Sequence, residues 1–282
     1  MNSIKREKII GLIGQNIQGS LSPQIHNYLA SVMGLKYHYF LFDIEPAELK
    51  KAVESIKIMD ITGVNVTIPY KSDVIEYLDE VDERVKKIGA VNTIVNENGK
   101  LVGYNTDVDG FDEMSYSKGI TFKDKKVVLI GAGGAARAVL YYLKDQNVDQ
   151  LYLTNRTLSK AETVKKDFKK VMDKISIVEW NSEEKKRVVK ASDIIINATP
   201  LGMENEYQDK SPVKSESINE EQILIDLVYK PRVTKFLSFG QKKNAKIISG
   251  IEMLVYQAVG SFELWTNQEV EYHVIDELIK NL

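Results

Sequence analysis

Cysteine is absent from the 282 residues. That excludes disulfides, zinc–thiolate centres and iron–sulfur clusters. Histidine occurs three times, as His26, His38 and His273, with no ligand spacing among them, so no metal site is expected. An excess of one charge is also missing: 38 Lys and Arg stand against 40 Asp and Glu, a net charge of -2. Such a balance carries no electrostatic footprint for nucleic acid or an anionic membrane surface. No apolar run approaches the ~18 residues of a membrane span. The opening MNSIKREKIIGLIGQN holds only a brief apolar stretch, too short for a secretory core, and a cytoplasmic location is expected. Nor is there a low-complexity linker or a repeat of solenoid period. What remains is ordinary globular composition, 43% hydrophobic and 28% charged. At roughly 150 residues per domain the length suggests two cores or one large one.

Strand-like and helix-like segments alternate from the start. Lys8–Ile13 is β-prone, and Ser22–Met33 reads as a helix with Ser22 as N-cap, Pro23 at the first helical position and Gly34 as stop. Lys36–Asp43 and Val64–Ile68 read as strands, and Leu49, Ala52, Val53 and Ile56 trace one helix face between them. This order implies parallel pairing. Thr93–Asn96 and Leu101–Asn105 flank Asn98-Gly99 and predict a hairpin. After a helix near Asp109–Lys118 a second series follows, with strands at Lys126–Ile130, Gln150–Thr154, Ile175–Val178, Asp193–Asn197, Ile223–Leu227 and Ala245–Ile248. Helices fill most of the gaps, the one after Asn197 being doubtful. Six such strands suit a complete dinucleotide-binding sheet. The last helical segment, Glu252–Asn267, fits against either domain on pattern alone. The fold class is α/β: two β/α domains, the second Rossmann-like, expected to abut across a ligand cleft.

The strand at Lys126–Ile130 runs into Gly131-Ala132-Gly133-Gly134-Ala135-Ala136 and a helix. Glycines there let backbone N–H groups approach a pyrophosphate at a helix N-terminus. A bare strand–helix turn is the competing reading. Sites for NAD carry a carboxylate at the end of the next strand. This chain has Asn155-Arg156-Thr157 instead, with Lys160 beyond. A guanidinium grips a phosphate dianion in two-pronged fashion, which favours NADP. The alternative is that Thr157 caps a helix and Arg156 is solvated.

Three polar clusters fall at element ends in the first half. Ser20-Leu21-Ser22-Pro23 suits a carboxylate ligand, though taken alone it reads first as an N-cap. Asn65 and Thr67 share a strand face, and Lys71 follows Pro69. Gly89–Thr93 and Gly103–Asp107 bracket the hairpin. Asp107 lies at the handover between the two series, where it either pairs with Lys71 or, with Asn105, caps the next helix.

These segments, with Asn-Ala-Thr-Pro-Leu-Gly-Met from Asn197 to Met203, occur in an order that resembles the shikimate dehydrogenase family from Gly11 to Trp265. The resemblance implies NADP-dependent, reversible reduction of 3-dehydroshikimate to shikimate in aromatic amino acid biosynthesis. It implies substrate contacts at Ser20, Ser22, Asn65, Thr67, Asn92, Asp107, Tyr229 and Gln257, with Lys71 and Asp107 as the catalytic pair. It assigns cofactor contacts to Gly131, Ala132, Gly133, Gly134, Ala135, Asn155, Arg156, Thr157, Lys160, Leu227 and Gly250. It also places the substrate domain at residues 1–106 plus 250–282 and the NADP domain at 107–249. Two departures are small: Gly19 stands where relatives often carry His or another bulkier polar residue, and Lys160 where they carry Arg, a point charge in place of a fork.

Two other readings stay open: a quinate/shikimate dehydrogenase using NAD, and a non-catalytic NADP-binding regulator on the same fold. A regulator has no use for a proton-transfer pair, which counts against the latter. The expected partner is a small-molecule substrate, with no nucleic acid and no membrane, in a monomer or homodimer. Trp180 and Trp265 read as packing residues, and the charge runs Lys165–Lys170 and Glu183–Arg187 as solvated helix faces.

Overall fold

Lys8–Gly14, the first strand (β1), is an almost wholly apolar run, and Ile10, Leu12 and Ile13 are buried. It sits inside a sheet and is covered on both faces, which is why it shows no alternation. The structure is a computed structural model and describes residues 7–204 and 206–282. Ser22–Val32 forms α1, Tyr37–Asp43 β2, Leu49–Ile58 α2 and Gly63–Val66 β3. Both β2 and β3 run parallel to β1, one on each side. Helix α1 corrects one expectation. Its N-cap is Leu21, not Ser22, and Ser22 is the first helical residue. The Oγ of Ser20 accepts from the Ser22 backbone N–H at 3.2 Å instead.

A short strand β4 (Glu80–Val81) and helix α3 (Glu83–Ile88) follow. Neither is long enough to show a period, so sequence pattern passes over both. The side chain of Asp82 caps α3 by accepting from the Arg84 N–H at 2.8 Å. The hairpin forms as β5 (Thr93–Glu97) and β6 (Lys100–Tyr104). Asn98 and Gly99 take φ of 55° and 93°, the pair of left-handed residues that a tight hairpin turn needs. The completed sheet has the order β2-β1-β3-β5-β6-β4. Val53 and Ile56 of α2 pack with Val64, Val66, Ile94 and Leu101 in its core. Each such side chain contributes about 1.5–3 kcal/mol by leaving water. Helix α4 (Asp107–Ser117) then leads onward.

The second sheet comprises β7 (Lys126–Ile130), β8 (Gln150–Thr154), β9 (Ile175–Ile177), β10 (Ile194–Asn197), β11 (Ile223–Asp226) and β12 (Lys246–Ser249). Helices α5 (Gly134–Leu143), α6 (Leu158–Phe168), α7 (Glu183–Ala191) and α8 (Lys235–Lys242) connect them. The order is β12-β11-β10-β7-β8-β9, and every pairing is parallel. Read from β7, this is the doubly wound arrangement, with its switch point between β7 and β10. After Asn197 the described residues form no α-helix before α8, only a single 3₁₀ turn at Ser215–Ser217.

Two helices close the chain, α9 (Ile251–Thr266) and α10 (Tyr272–Asn281). The helical pattern legible in the sequence ends at Asn267 and does not reveal α10. Its apolar stripe is only Val274, Ile275 and Leu278, set among charges. The described chain divides into two compact units: one runs up to Gly110 and includes Val255–Leu282, and the other is Phe111–Leu254. Within the first, the indole of the buried Trp265 donates to the Ile94 carbonyl at 2.9 Å. Within the second, Trp180 lies under the Lys185 ammonium, 3.5 Å from its ring centroid. No described helix is long and apolar enough to cross a membrane.

Candidate active site

The register of the first sheet gathers the polar clusters at one end. Ile13 pairs with Val66, Asn65 with Thr93, and Thr93 with Tyr104. The segments just beyond β1, β3 and β6, and just before β5, therefore emerge together. They carry Ser20 and Ser22, Thr67 and Lys71, Asp107, and Asn92 respectively. The carboxyl ends of strands are where α/β sheets bind ligands.

Lys71 and Asp107, 36 positions apart in sequence, meet there. Nζ lies 2.5 Å from Oδ2, with the two side chains 16% and 6% exposed. Such a pair is well shielded from solvent, unlike the exposed lysine–carboxylate contacts elsewhere. The other oxygen of Asp107 accepts from Asn92 Nδ2 at 3.0 Å. Asp107 opens α4, yet its backbone N–H is satisfied by Asn105 Oδ1 at 3.1 Å, and Asn105 is held in turn by the Ala90 carbonyl. Asn105 thus takes the local capping role, and the Asp107 carboxylate is left to Lys71 and Asn92. The Val91 N–H donates to the Lys71 carbonyl at 2.7 Å, tying the lysine segment to the strand that follows.

Asn92 Nδ2 also reaches Thr106 Oγ1 (2.9 Å) and Gln257 Oε1 (3.2 Å). Its oxygen accepts from the Thr106 N–H at 2.8 Å. Asn65 is buried, receives the Tyr39 hydroxyl at 2.8 Å, and donates to Ser261 and Thr93. Thr67 is half-buried, its methyl facing the backbone of Gly14. The hydroxyls of Ser20 and Ser22 lie 3.1 Å apart. Their loop is held by the Asp43 carboxylate, which accepts from the N–H groups of Asn16 (2.8 Å) and Ile17 (3.3 Å). Beneath this layer His26 is fully buried and stacked on Tyr39 at 4.3 Å. Neither ring nitrogen finds a hydrogen-bond partner. Burial pushes its pKa down to about 3, opposed in part by the nearby Asn65 carboxamide.

In the second unit the glycine segment lies at the switch point. Gly131 follows β7 with φ of +124°, and a Cβ there would sit 2.7 Å from the Ala198 carbonyl oxygen beyond β10. Gly133 is the N-cap of α5 without any side-chain cap, and a Cβ on it would meet nothing within 4 Å. An uncapped helix N-terminus beside open space is what a pyrophosphate requires, so the segment Gly131–Ala135 fits a dinucleotide. Beyond β8, Asn155 Nδ2 closes its turn on the Thr157 carbonyl at 2.8 Å. Thr157 occupies the N-cap of α6 but makes no capping bond, and Arg156 and Lys160 are exposed.

Leu227 and Tyr229 follow β11 and are half-buried. A Cβ on Gly250 would stand 2.4 Å from the Leu227 carbonyl oxygen, so only glycine lets these backbones meet. Asp226, fully buried, accepts from Asn197 Nδ2 (2.9 Å), Thr234 Oγ1 (2.5 Å) and the Val228 N–H (3.1 Å). Burial outweighs these donors and raises its pKa to about 7. This tie between the ends of β10 and β11 went unread in the sequence, although the Asn-Ala-Thr-Pro-Leu-Gly-Met segment supplies Asn197. Thr93, Thr106 and Ser261 were also passed over. Ser261 stands one helical turn past Gln257, a spacing that marks them as neighbours on one face. Among the described residues no cluster of potential ligands is arranged for a metal ion.

An open glycine turn that fits a dinucleotide in one unit and a shielded lysine–aspartate pair in the other are the parts expected of a dinucleotide-dependent oxidoreductase. Comparison with known proteins narrows the class. Residues 12–94 match the shikimate dehydrogenase substrate binding domain, 113–236 the shikimate/quinate 5-dehydrogenase family and 250–280 the shikimate 5'-dehydrogenase C-terminal domain. The chain is 44% identical over 261 residues to the shikimate dehydrogenase (NADP(+)) of Clostridium beijerinckii, covering 93% of each. A crystal structure of a shikimate dehydrogenase in complex with NADP+ superposes with a TM-score of 0.87 at 39% identity, covering 98% of this chain and 95% of the other. Quinate dehydrogenase from Corynebacterium glutamicum, in complex with NAD, gives 0.87 at 29% identity, covering 98% and 99%. The chain belongs to the shikimate dehydrogenase family.

Proposed function

We propose that this protein catalyses the reversible, NADP-dependent interconversion of 3-dehydroshikimate and shikimate, a step of aromatic amino acid biosynthesis, in the cytoplasm. The observation that carries the reading is the shielded Lys71–Asp107 pair, joined to Asn92 at the end of the first sheet. In this reading the unit holding both residues binds substrate and the doubly wound unit binds cofactor.

The dinucleotide, when bound, supplies the hydride at its nicotinamide ring. Gly131, Ala132, Gly133, Gly134 and Ala135 would receive its pyrophosphate. Asn155, Arg156, Thr157 and Lys160 would receive the 2'-phosphate, with Leu227 and Gly250 on the nicotinamide side. No carboxylate follows β8, which favours NADP over NAD. Ser20 and Ser22 anchor the substrate carboxylate. Asn65, Thr67, Asn92 and Asp107 orient the ring hydroxyls, and Tyr229 and Gln257 complete the contacts. Negative charge develops on the C3 oxygen during reduction. Lys71, oriented by Asp107, gives that oxygen a proton and takes it back in reverse. General acid–base help of this kind is worth ~10²- to 10⁴-fold.

An absorbance assay at the reduced-nicotinamide band, run with shikimate and quinate against NADP+ and NAD+, tests this directly. Turnover with shikimate and NADP+ well above the other three combinations is expected. Preference for quinate with NAD+ would reassign the protein, and cofactor binding with no turnover at all would make it a regulator.

A further inference from the structure

Ser261 lies on α9 with no exposed surface, and four polar groups converge on its hydroxyl. Asn65 Nδ2 is 2.8 Å away, Thr93 Oγ1 2.8 Å, Thr106 Oγ1 3.1 Å and the Gln257 carbonyl 3.0 Å. Three groups of fixed polarity bound this network. The Asp107 carboxylate, the Gln257 carbonyl and the Asn92 backbone carbonyl only accept, and the last accepts from Asn65 Nδ2 at 3.2 Å. Several assignments of protons satisfy every donor, and in one of them the protons run as follows. Ser261 and Thr106 give their protons to the Gln257 carbonyl, at 3.0 and 2.9 Å. Thr93 gives its proton to Asn92 Oδ1 at 3.0 Å. Asn92 gives its two to Thr106 and Asp107. Toward Asn65, the Ser261 and Thr93 hydroxyls are then acceptors.

The consequence falls on Asn65. Its amide nitrogen faces the Asn92 carbonyl and α9, so its oxygen faces Tyr39. With the opposite sense, the Asn65 oxygen would stand against the Asn92 carbonyl oxygen. We propose that Ser261 is a positioning residue for the reaction: it accepts from Asn65, holding that carboxamide in the sense the Asn92 carbonyl demands, and with Thr93 and Thr106 it braces the Asn92 side chain that holds Asp107. This rests on the assignment of Asn65 and Asn92 as substrate contacts. It adds a residue from the C-terminal helix that would itself touch neither substrate nor cofactor.

The test is steady-state kinetics of Ser261→Ala with shikimate and NADP+. Losing a buried acceptor typically costs one net hydrogen bond or slightly more, about a tenfold effect. The expected result is a kcat/KM for shikimate about tenfold lower, mostly through KM, with the KM for NADP+ within twofold of wild type. Thr93→Val, near-isosteric, removes the same hydroxyl layer from the strand side and is expected to show the same selective loss, so the test survives if one variant misfolds. Wild-type turnover checks the functional reading separately. With wild-type activity present, a variant whose kcat/KM for shikimate stays within twofold overturns the inference, whatever its melting temperature. So does an equal rise of both KM values.

Discussion

Replacing His26 by Phe should remove a pH-dependent loss of stability from the first unit. His26 is fully buried with its pKa pushed to about 3, against an ordinary value of 6.5. The lowered value means that the folded protein leaves the ring neutral while the unfolded chain protonates it. Stability from this group is therefore present above pH 6.5 and lost as pH falls from 6.5 toward 3. Between pH 7.5 and 5.5 the unfolded chain takes up most of one proton, which costs about 1.4 kcal/mol by linkage. Phenylalanine retains a flat ring against Tyr39 and does not titrate. Asp226 titrates across the same interval with the opposite sign, because its raised pKa makes the folded state the better proton acceptor. It is common to both proteins and cancels in their difference. The assay is urea unfolding at the two pH values in a Trp180→Phe background, where Trp265 alone reports on the first unit. Wild type should lose about 1.4 kcal/mol more than His26→Phe on acidification. Equal losses in the two proteins would show that the ring titrates normally in the folded state, and the argument from burial would fail.

Arg156→Ala should raise the KM for NADP+ about tenfold or more and leave that for NAD+ nearly unchanged, since a charge-assisted phosphate contact is worth roughly 1.5–3 kcal/mol. Equal effects on both cofactors would remove Arg156 from the phosphate site. Asp107→Ala should lower kcat and raise the KM for shikimate together, because the carboxylate holds Lys71 and, in the proposed reaction, also contacts the substrate. A change in KM alone would refute its pairing role. Gly250→Ala forces a methyl to within 2.4 Å of the Leu227 carbonyl and should destabilise the protein by about 1–3 kcal/mol in urea unfolding. An unchanged midpoint would mean that the two backbones separate at no cost.

The strands of the doubly wound sheet were legible because buried parallel strands are continuous apolar runs, as in Val127–Ile130 and Ile194–Ile196. The hairpin was legible for a different reason: Asn98-Gly99 is a local conformational demand that needs no tertiary context. Boundaries were less readable. Proline fits either of the first two helical positions, so Pro23 did not reveal that Leu21 rather than Ser22 would be the cap. At the site, spacing left the Asp107 carboxylate divided between a helix cap and a lysine partner. The divide closes only when folding gives Asn105 the Asp107 N–H and brings Lys71 across 36 positions. Ser261 was beyond reach for the same reason. A serine in an apolar helix says nothing until the ends of β3, β5 and β6 are placed against it.

The central claim is that the Lys71 ammonium moves a proton while Asp107 holds it. Steady-state kinetics of Lys71→Ala with shikimate and NADP+ test that most directly. The account predicts a kcat lower by about 10²-fold or more with the KM for shikimate within several-fold of wild type. A variant that turns over at nearly the wild-type rate would contradict it.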